Sequence, residues 1–105
     1  MKIVAVCACT AGIAHTYMAQ EAIETECAGR GIEVMVETQG GMGIENELEQ
    51  EDVDSADVVI MAVAIGIEME ERFDEKREEG KIIEVNPTEA IKNVKEIIDK
   101  AEEMA

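Results

Sequence analysis

Four short runs rich in β-branched residues, Ile3 to Ala8, Ile32 to Glu37, Asp57 to Ala64 and Lys81 to Val85, recur along the chain, each followed by a helix-compatible stretch. Those stretches are Ala14 to Ala28, a short acidic one near Glu49 to Ala56, Glu68 to Glu79 and Pro87 to Met104, so the order reads βαβαβαβα. The first and third runs are almost continuously apolar. That is the pattern of strands covered on both faces, and a βαβ connection is right-handed, which together specify a parallel sheet rather than a meander. The expected fold is α/β, a doubly wound four-stranded parallel sheet of order 2-1-3-4 with helices on both faces. A chain of 105 residues has room for one such domain, taken as 1-105. With Tyr17 and Phe73 as its only aromatics, it must pack a core of Val, Ile, Ala and Met.

The punctuation agrees with this pattern. Gly29 and Gly31 flank Arg30 where the first helix should stop, Gly80 ends the third, and Asn86-Pro87 reads as an N-cap followed by proline at the first helical position. In the last stretch Ile91, Val94, Ile97, Ile98 and Ala101 fall three and four apart, a stripe suited to docking on the sheet.

Charge excludes several functions. Twenty-five acidic residues against nine basic ones give −16, which disfavours phosphate backbones and anionic bilayers alike. No nucleic-acid partner and no membrane insertion are expected. The apolar run Lys2 to Val6 is too short for a span and lacks the flanks of a signal peptide. Three cysteines without framework spacing fit a reducing compartment, so the expected location is the cytoplasm. Self-repulsion for solubility and adaptation to molar salt both account for the acidity, and the second is the expectation taken forward. The acidic runs Glu45 to Asp54 and Glu68 to Glu79, the latter with Arg72, Lys76 and Arg77, read as solvated faces; they lack the glycine-centred spacing of a calcium loop, and no metal or other cofactor is expected.

Acids avoid one place. Residues 1 to 20 contain no Asp or Glu, and burial of the first strand does not account for the gap from Cys9 to Gln20, where a turn and a helix start are expected. An anion-binding turn would account for it. The candidate loop is Cys9, Thr10, Ala11, Gly12, Ile13, Ala14, His15 and Thr16, at the C-terminal end of the first strand, where α/β sheets place ligands. Small residues let backbone N–H groups converge there, and the helix N-terminus adds its positive end. Such surroundings favour thiolate over thiol, which makes Cys9 a candidate nucleophile and phosphoryl acceptor. His15 sits where a Cys-x5-Arg phosphatase loop carries its arginine, and it can donate to phosphoryl oxygens without supplying a bidentate clamp. Thr16 can cap the helix or offer its hydroxyl to a phosphate. Cys7, inside the strand, and Cys27, near the end of the first helix, are expected to pack. A Cys7-x-Cys9 metal site is disfavoured because the two thiols of an extended strand point to opposite faces.

The run Ala8-Cys9-Thr10-Ala11-Gly12-Ile13-Ala14-His15-Thr16-Tyr17-Met18-Ala19 resembles the signature of the IIB components of the phosphoenolpyruvate-dependent sugar phosphotransferase system, in particular the fructose-specific group, at ten of twelve positions. Glu21 to Glu26, Val36 to Gly40 and Ala56 to Ile60 extend the similarity over nearly the whole chain. The resemblance implies that Cys9 becomes a phosphocysteine, that phosphohistidine on a IIA domain or protein is the donor, and that the acceptor is a sugar, fructose, held by a membrane IIC permease. Two departures stand out: Thr10 and Ala11 replace Pro-Thr, which adds an N–H, loosens the turn and removes a hydroxyl. Tyr17 and Met18 could form an apolar docking rim for such partners. Two other classes use the same residues, a low-molecular-weight-type cysteine phosphatase and an anion-binding regulatory module with Gly40-Gly41-Met42-Gly43 as a second loop; the missing arginine argues against the first.

Overall fold

A computed structural model describes residues 1–9, 13–40 and 43–105, with only the backbone of Ile13 included. Its elements are β1 (Lys2–Ala8), α1 (Ile13–Gly29), β2 (Glu33–Gly40), β3 (Gly43–Glu45), α2 (Gln50–Ser55), β4 (Val58–Val63), a 3-10 turn (Glu70–Phe73), α3 (Asp74–Glu78), β5 (Ile82–Val85), α4 (Pro87–Lys92) and α5 (Val94–Met104). The sheet has five strands in the order β3-β2-β1-β4-β5. β2, β1, β4 and β5 are parallel, in the expected sequence of neighbours. The expected four-stranded, wholly parallel sheet is corrected by β3, which adds an antiparallel edge to β2 with Gly40 opposite Gly43. Gly43 has φ +91, a conformation open to glycine and costly for other residues. Gly40 and Gly43, the ends of the second loop read from the sequence, pair where β2 closes and β3 opens, while Gly41 and Met42 lie outside the described residues.

Alternation along β1 divides the interior between two faces, as a period of two requires. Ile3, Ala5 and Cys7 pack with Ala19, Ile23 and Cys27 of α1 and with Ala90, Ile97, Ile98 and Ala101 of α4 and α5. Val4 and Val6 face the other side, with Leu48, Val53, Ala56 and Phe73. Helices thus cover both faces.

Two helical expectations are revised. The stretch from Pro87 breaks at Asn93 (φ −120), which closes α4 by bonding its N–H to Glu89 O (2.8 Å) and opens α5 by accepting from Ile97 N (3.1 Å). The Glu68 to Glu79 stretch is a loop, a 3-10 turn and one short helix. Side chains compete there for the backbone: Arg72 donates to the carbonyls of Met69 (2.9 Å) and Leu48 (2.7 Å), and Met69 itself sits at φ +57. Nor is the run wholly solvated. Arg72 is buried and makes a bidentate pair with Glu37, a β2 carboxylate with no exposed surface, at 2.8 and 2.9 Å.

Candidate functional site

The C-terminal ends of β1, β2 and β4 lie side by side, with Ala8 opposite Gln39 on one side and Val63 on the other. From β1 the chain crosses one face through α1 to β2; from β3 it crosses the other through α2 to β4. The strand ends around β1 therefore meet where the connections part in opposite directions, the place at which an open α/β sheet leaves a crevice. A cleft of about 380 Å³ occupies it, lined by Cys9 from the end of β1, Gln39 and Gly40 from β2, Ile44 from β3, and Gly66 and Glu68 from the loop after β4.

The three cysteines separate by environment. Cys7 and Cys27 are fully buried in the α1 side of the core. Burial pushes the Cys7 thiol up to about 12, with Glu24 adding to the rise. Burial also raises Cys27, to about 11, against the opposing pull of Arg30. Both pack, as their positions in the sequence suggest. Cys9 is partly exposed and opens into the cleft.

Of the loop residues singled out with Cys9, Thr10, Ala11 and Gly12 lie outside the described residues, and Ile13 is the first residue of α1. Ala14 and His15 are exposed in the first turn of that helix, which carries no acidic residue. Thr16 does not cap: it lies inside the helix, 3% exposed, and its Oγ1 is buried without a hydrogen-bond partner among the described residues. A buried hydroxyl in that state has donor and acceptor capacity to offer a ligand. Tyr17 is half-buried and donates its hydroxyl to Glu45 on β3, tying α1 to the edge strand, while Met18 is half-exposed.

Of the rest of the cleft, sequence reasoning named Gly40 and Gly43 through the glycine-rich second loop and missed Gln39, Ile44, Ile65, Gly66 and Glu68, which come from segments 30 or more residues beyond Cys9; for these the gathering of ligands at the C-terminal ends of parallel strands was the available signal. The acid-poor first twenty residues do not make the cleft free of acids, because Glu68 reaches it from the loop after β4. Among the described residues, no Lys or Arg lines it. Arg72, the nearest in sequence to this loop, has its guanidinium committed to Glu37 and to the carbonyls of Leu48, Met69 and Glu68.

A family-level match spans residues 4–100, to the family described as "PTS system, Lactose/Cellobiose specific IIB subunit". The chain belongs to the IIB family of the phosphotransferase system. A curated relative, the PTS system fructose-like EIIB component 2 of Escherichia coli strain K12, is 52% identical over 101 residues, covering 96% of this chain and 92% of the relative. The fructose-like EIIB component 1 of the same strain is 42% identical, with 98% and 92% covered. Among solved structures, an Enzyme IIB subunit of the PTS system from E. coli K12 superposes with a TM-score of 0.88 at 42% identity, covering 98% of this chain and 92% of that one. A domain of a fructose-specific IIABC component from Borrelia burgdorferi gives 0.82 at 48% identity, with 95% and 91% covered. The resemblance read from Ala8 to Ala19 is thereby established at the level of the family. No helix among the described residues is long and apolar enough to cross a membrane.

Proposed function

We propose that this IIB domain is a cytoplasmic phosphoryl relay in which Cys9 accepts a phosphoryl group from phosphohistidine of a IIA partner and passes it to a sugar, fructose, bound by a membrane IIC partner. The observation that carries this reading is the position of Cys9: it is the one cysteine that opens into the cleft at the strand ends, whereas the thiols of Cys7 and Cys27 are buried and held protonated at neutral pH. Fructose follows the names of the relatives rather than the lactose/cellobiose wording of the family.

In the first step the Cys9 thiolate attacks phosphorus in line; the S–P bond forms, the N–P bond breaks, and the donor imidazole leaves with its electron pair. In the second, a sugar hydroxyl attacks the same phosphorus: the O–P bond forms, the S–P bond breaks, the thiolate leaves with its electron pair, and the hydroxyl proton passes to solvent or to a base beside the sugar. The N-terminal turn of α1, free of acids, favours the added negative charge. His15 is exposed on that turn and can donate to phosphoryl oxygens, the Thr16 hydroxyl is uncommitted, and backbone N–H groups of Thr10 to Ile13 complete the phosphate loop of this reading. Met18, half-exposed beside them, belongs to the docking rim. A cleft without a guanidinium clamp suits a carrier that must not hydrolyse its cargo.

The test is incubation with phosphorylated IIA followed by mass spectrometry at neutral pH. Cys9→Ala should take up no phosphate, while Cys7→Ala and Cys27→Ala retain acceptance. Equal labelling of the Cys9→Ala protein refutes the relay, and turnover of a phosphate monoester by the isolated domain would point to a phosphatase instead.

A further inference from the structure

The buried Glu37–Arg72 pair lies outside the cleft, yet it is connected to the cleft wall through one side chain. Gln39 is two residues beyond Glu37 on β2, hence on the same face, and is 6% exposed. Its amide bonds on three sides: Nε2 donates to Glu37 Oε2 (2.7 Å) and to Glu68 O (3.2 Å), and Oε1 accepts from Glu68 N (2.8 Å). The Glu37 charge decides which way the amide faces, because the reversed orientation would set Oε1 against a carboxylate and Nε2 against an N–H. Glu37 is itself held by Arg72 and by the Leu48 N–H (2.8 Å).

The segment held in this way is 64–69. Its first residue donates from Ala64 N to Ala8 O (2.9 Å), immediately before Cys9, and its far end is fastened at Glu68 by both groups of the Gln39 amide, with a longer bond from Arg72 Nη2 to the Glu68 carbonyl (3.4 Å). Ile65 and Gly66, between the two ties, line the cleft. Met69, next in the chain, occupies the left-handed region at φ +57, a local cost that neighbouring bonds must offset.

We infer that Gln39 is a positioning residue for the chemistry at Cys9: by bonding both backbone groups of Glu68 it holds segment 64–69 in place as a wall of the Cys9 cleft. The consequence for phosphoryl transfer rests on the relay reading; the positioning itself does not. Gln39→Met keeps the length and bulk of the side chain and removes all three bonds. Opening of the wall is read by the rate of Cys9 alkylation with iodoacetamide, since Cys7 and Cys27 are buried. Cys9 is already partly exposed, so a displaced wall adds to its access rather than uncovering it, and the rate should rise by more than twofold. Acceptance from phosphorylated IIA, taken per folded molecule with the folded fraction measured by circular dichroism, should fall in its maximal rate more than it changes in its half-saturating donor concentration, a loss that a smaller folded fraction does not account for. A folded Gln39→Met protein whose Cys9 alkylates within twofold of the unsubstituted rate overturns the inference. If the variant does not fold, hydrogen exchange on the unsubstituted chain decides: the Glu68 amide should be protected, and exchange at the random-coil rate also overturns it. Faster alkylation in the variant, with no phosphate on Cys9 of the unsubstituted chain, would sink the relay and support the positioning.

Discussion

Arg72→Met removes the guanidinium from beneath β2 and leaves Glu37 buried with only the Leu48 N–H and the Gln39 amide to face it. In the intact chain burial pushes the Glu37 carboxyl up, but the bonds from Arg72, Leu48 and Gln39 outweigh it and hold it below the usual carboxylate range. A depressed carboxyl contributes stability that is present above its unfolded value and lost as pH falls through the folded one. Breaking a buried pair from one side typically costs about 3–5 kcal/mol, because a charge remains without compensation. Since Glu37 has no exposed surface and Arg72 is 8% exposed, solvent screening gives little relief, and the full range applies. For a domain of this size that corresponds to a melting temperature lower by roughly 15 °C or more. Without Arg72, burial is opposed only by the Leu48 N–H and the Gln39 amide, so the Glu37 carboxyl moves up from its place in the intact chain and the deficit should shrink as the pH falls. Urea unfolding of both proteins at neutral and at mildly acidic pH measures this directly. The double variant Glu37→Leu, Arg72→Met should regain most of the loss, since the unpaired charge is gone. A single-variant deficit below about 1 kcal/mol at neutral pH, or one that widens on acidification, would refute the reasoning.

Three further outcomes are expected. Thr16→Val replaces an unpartnered buried hydroxyl with a methyl of the same shape and should raise the stability of the domain alone by about 1 kcal/mol while slowing phosphate uptake at Cys9, as judged by thermal unfolding and labelling; an unchanged uptake rate would remove the hydroxyl from the site. Asn86→Ala removes the side-chain acceptor for Glu89 N (2.8 Å) at the start of α4 and should cost about 1 kcal/mol in chemical unfolding, a neutral result contradicting its capping role. With a net charge of −16, the unfolding midpoint should climb steeply from low to molar potassium chloride, and a flat response would discard adaptation to high salt.

Local pattern was enough for the four parallel strands and the first helix. The β-branched runs set the four parallel strands because a buried strand must be apolar on both faces, and Gly80 and Asn86-Pro87 mark the turn at φ +71 and the start of α4 through requirements each residue meets alone. The family was legible because Ala8 to Ala19 carries its signature in one contiguous stretch. β3 was not, since the three residues Gly43, Ile44 and Glu45 are too few to show a period of their own and form a strand only because β2 offers an edge. Nor was the role of Arg72. Surrounded by seven acids in sequence it looks solvated, and only the fold carries Glu37 to it across 35 positions and excludes water from the pair. The same holds for the cleft wall. That Gln39 and Glu68 meet near Cys9 follows from the order in which strands are laid side by side, and a long-range contact of that kind leaves no spacing in the chain from which to read it.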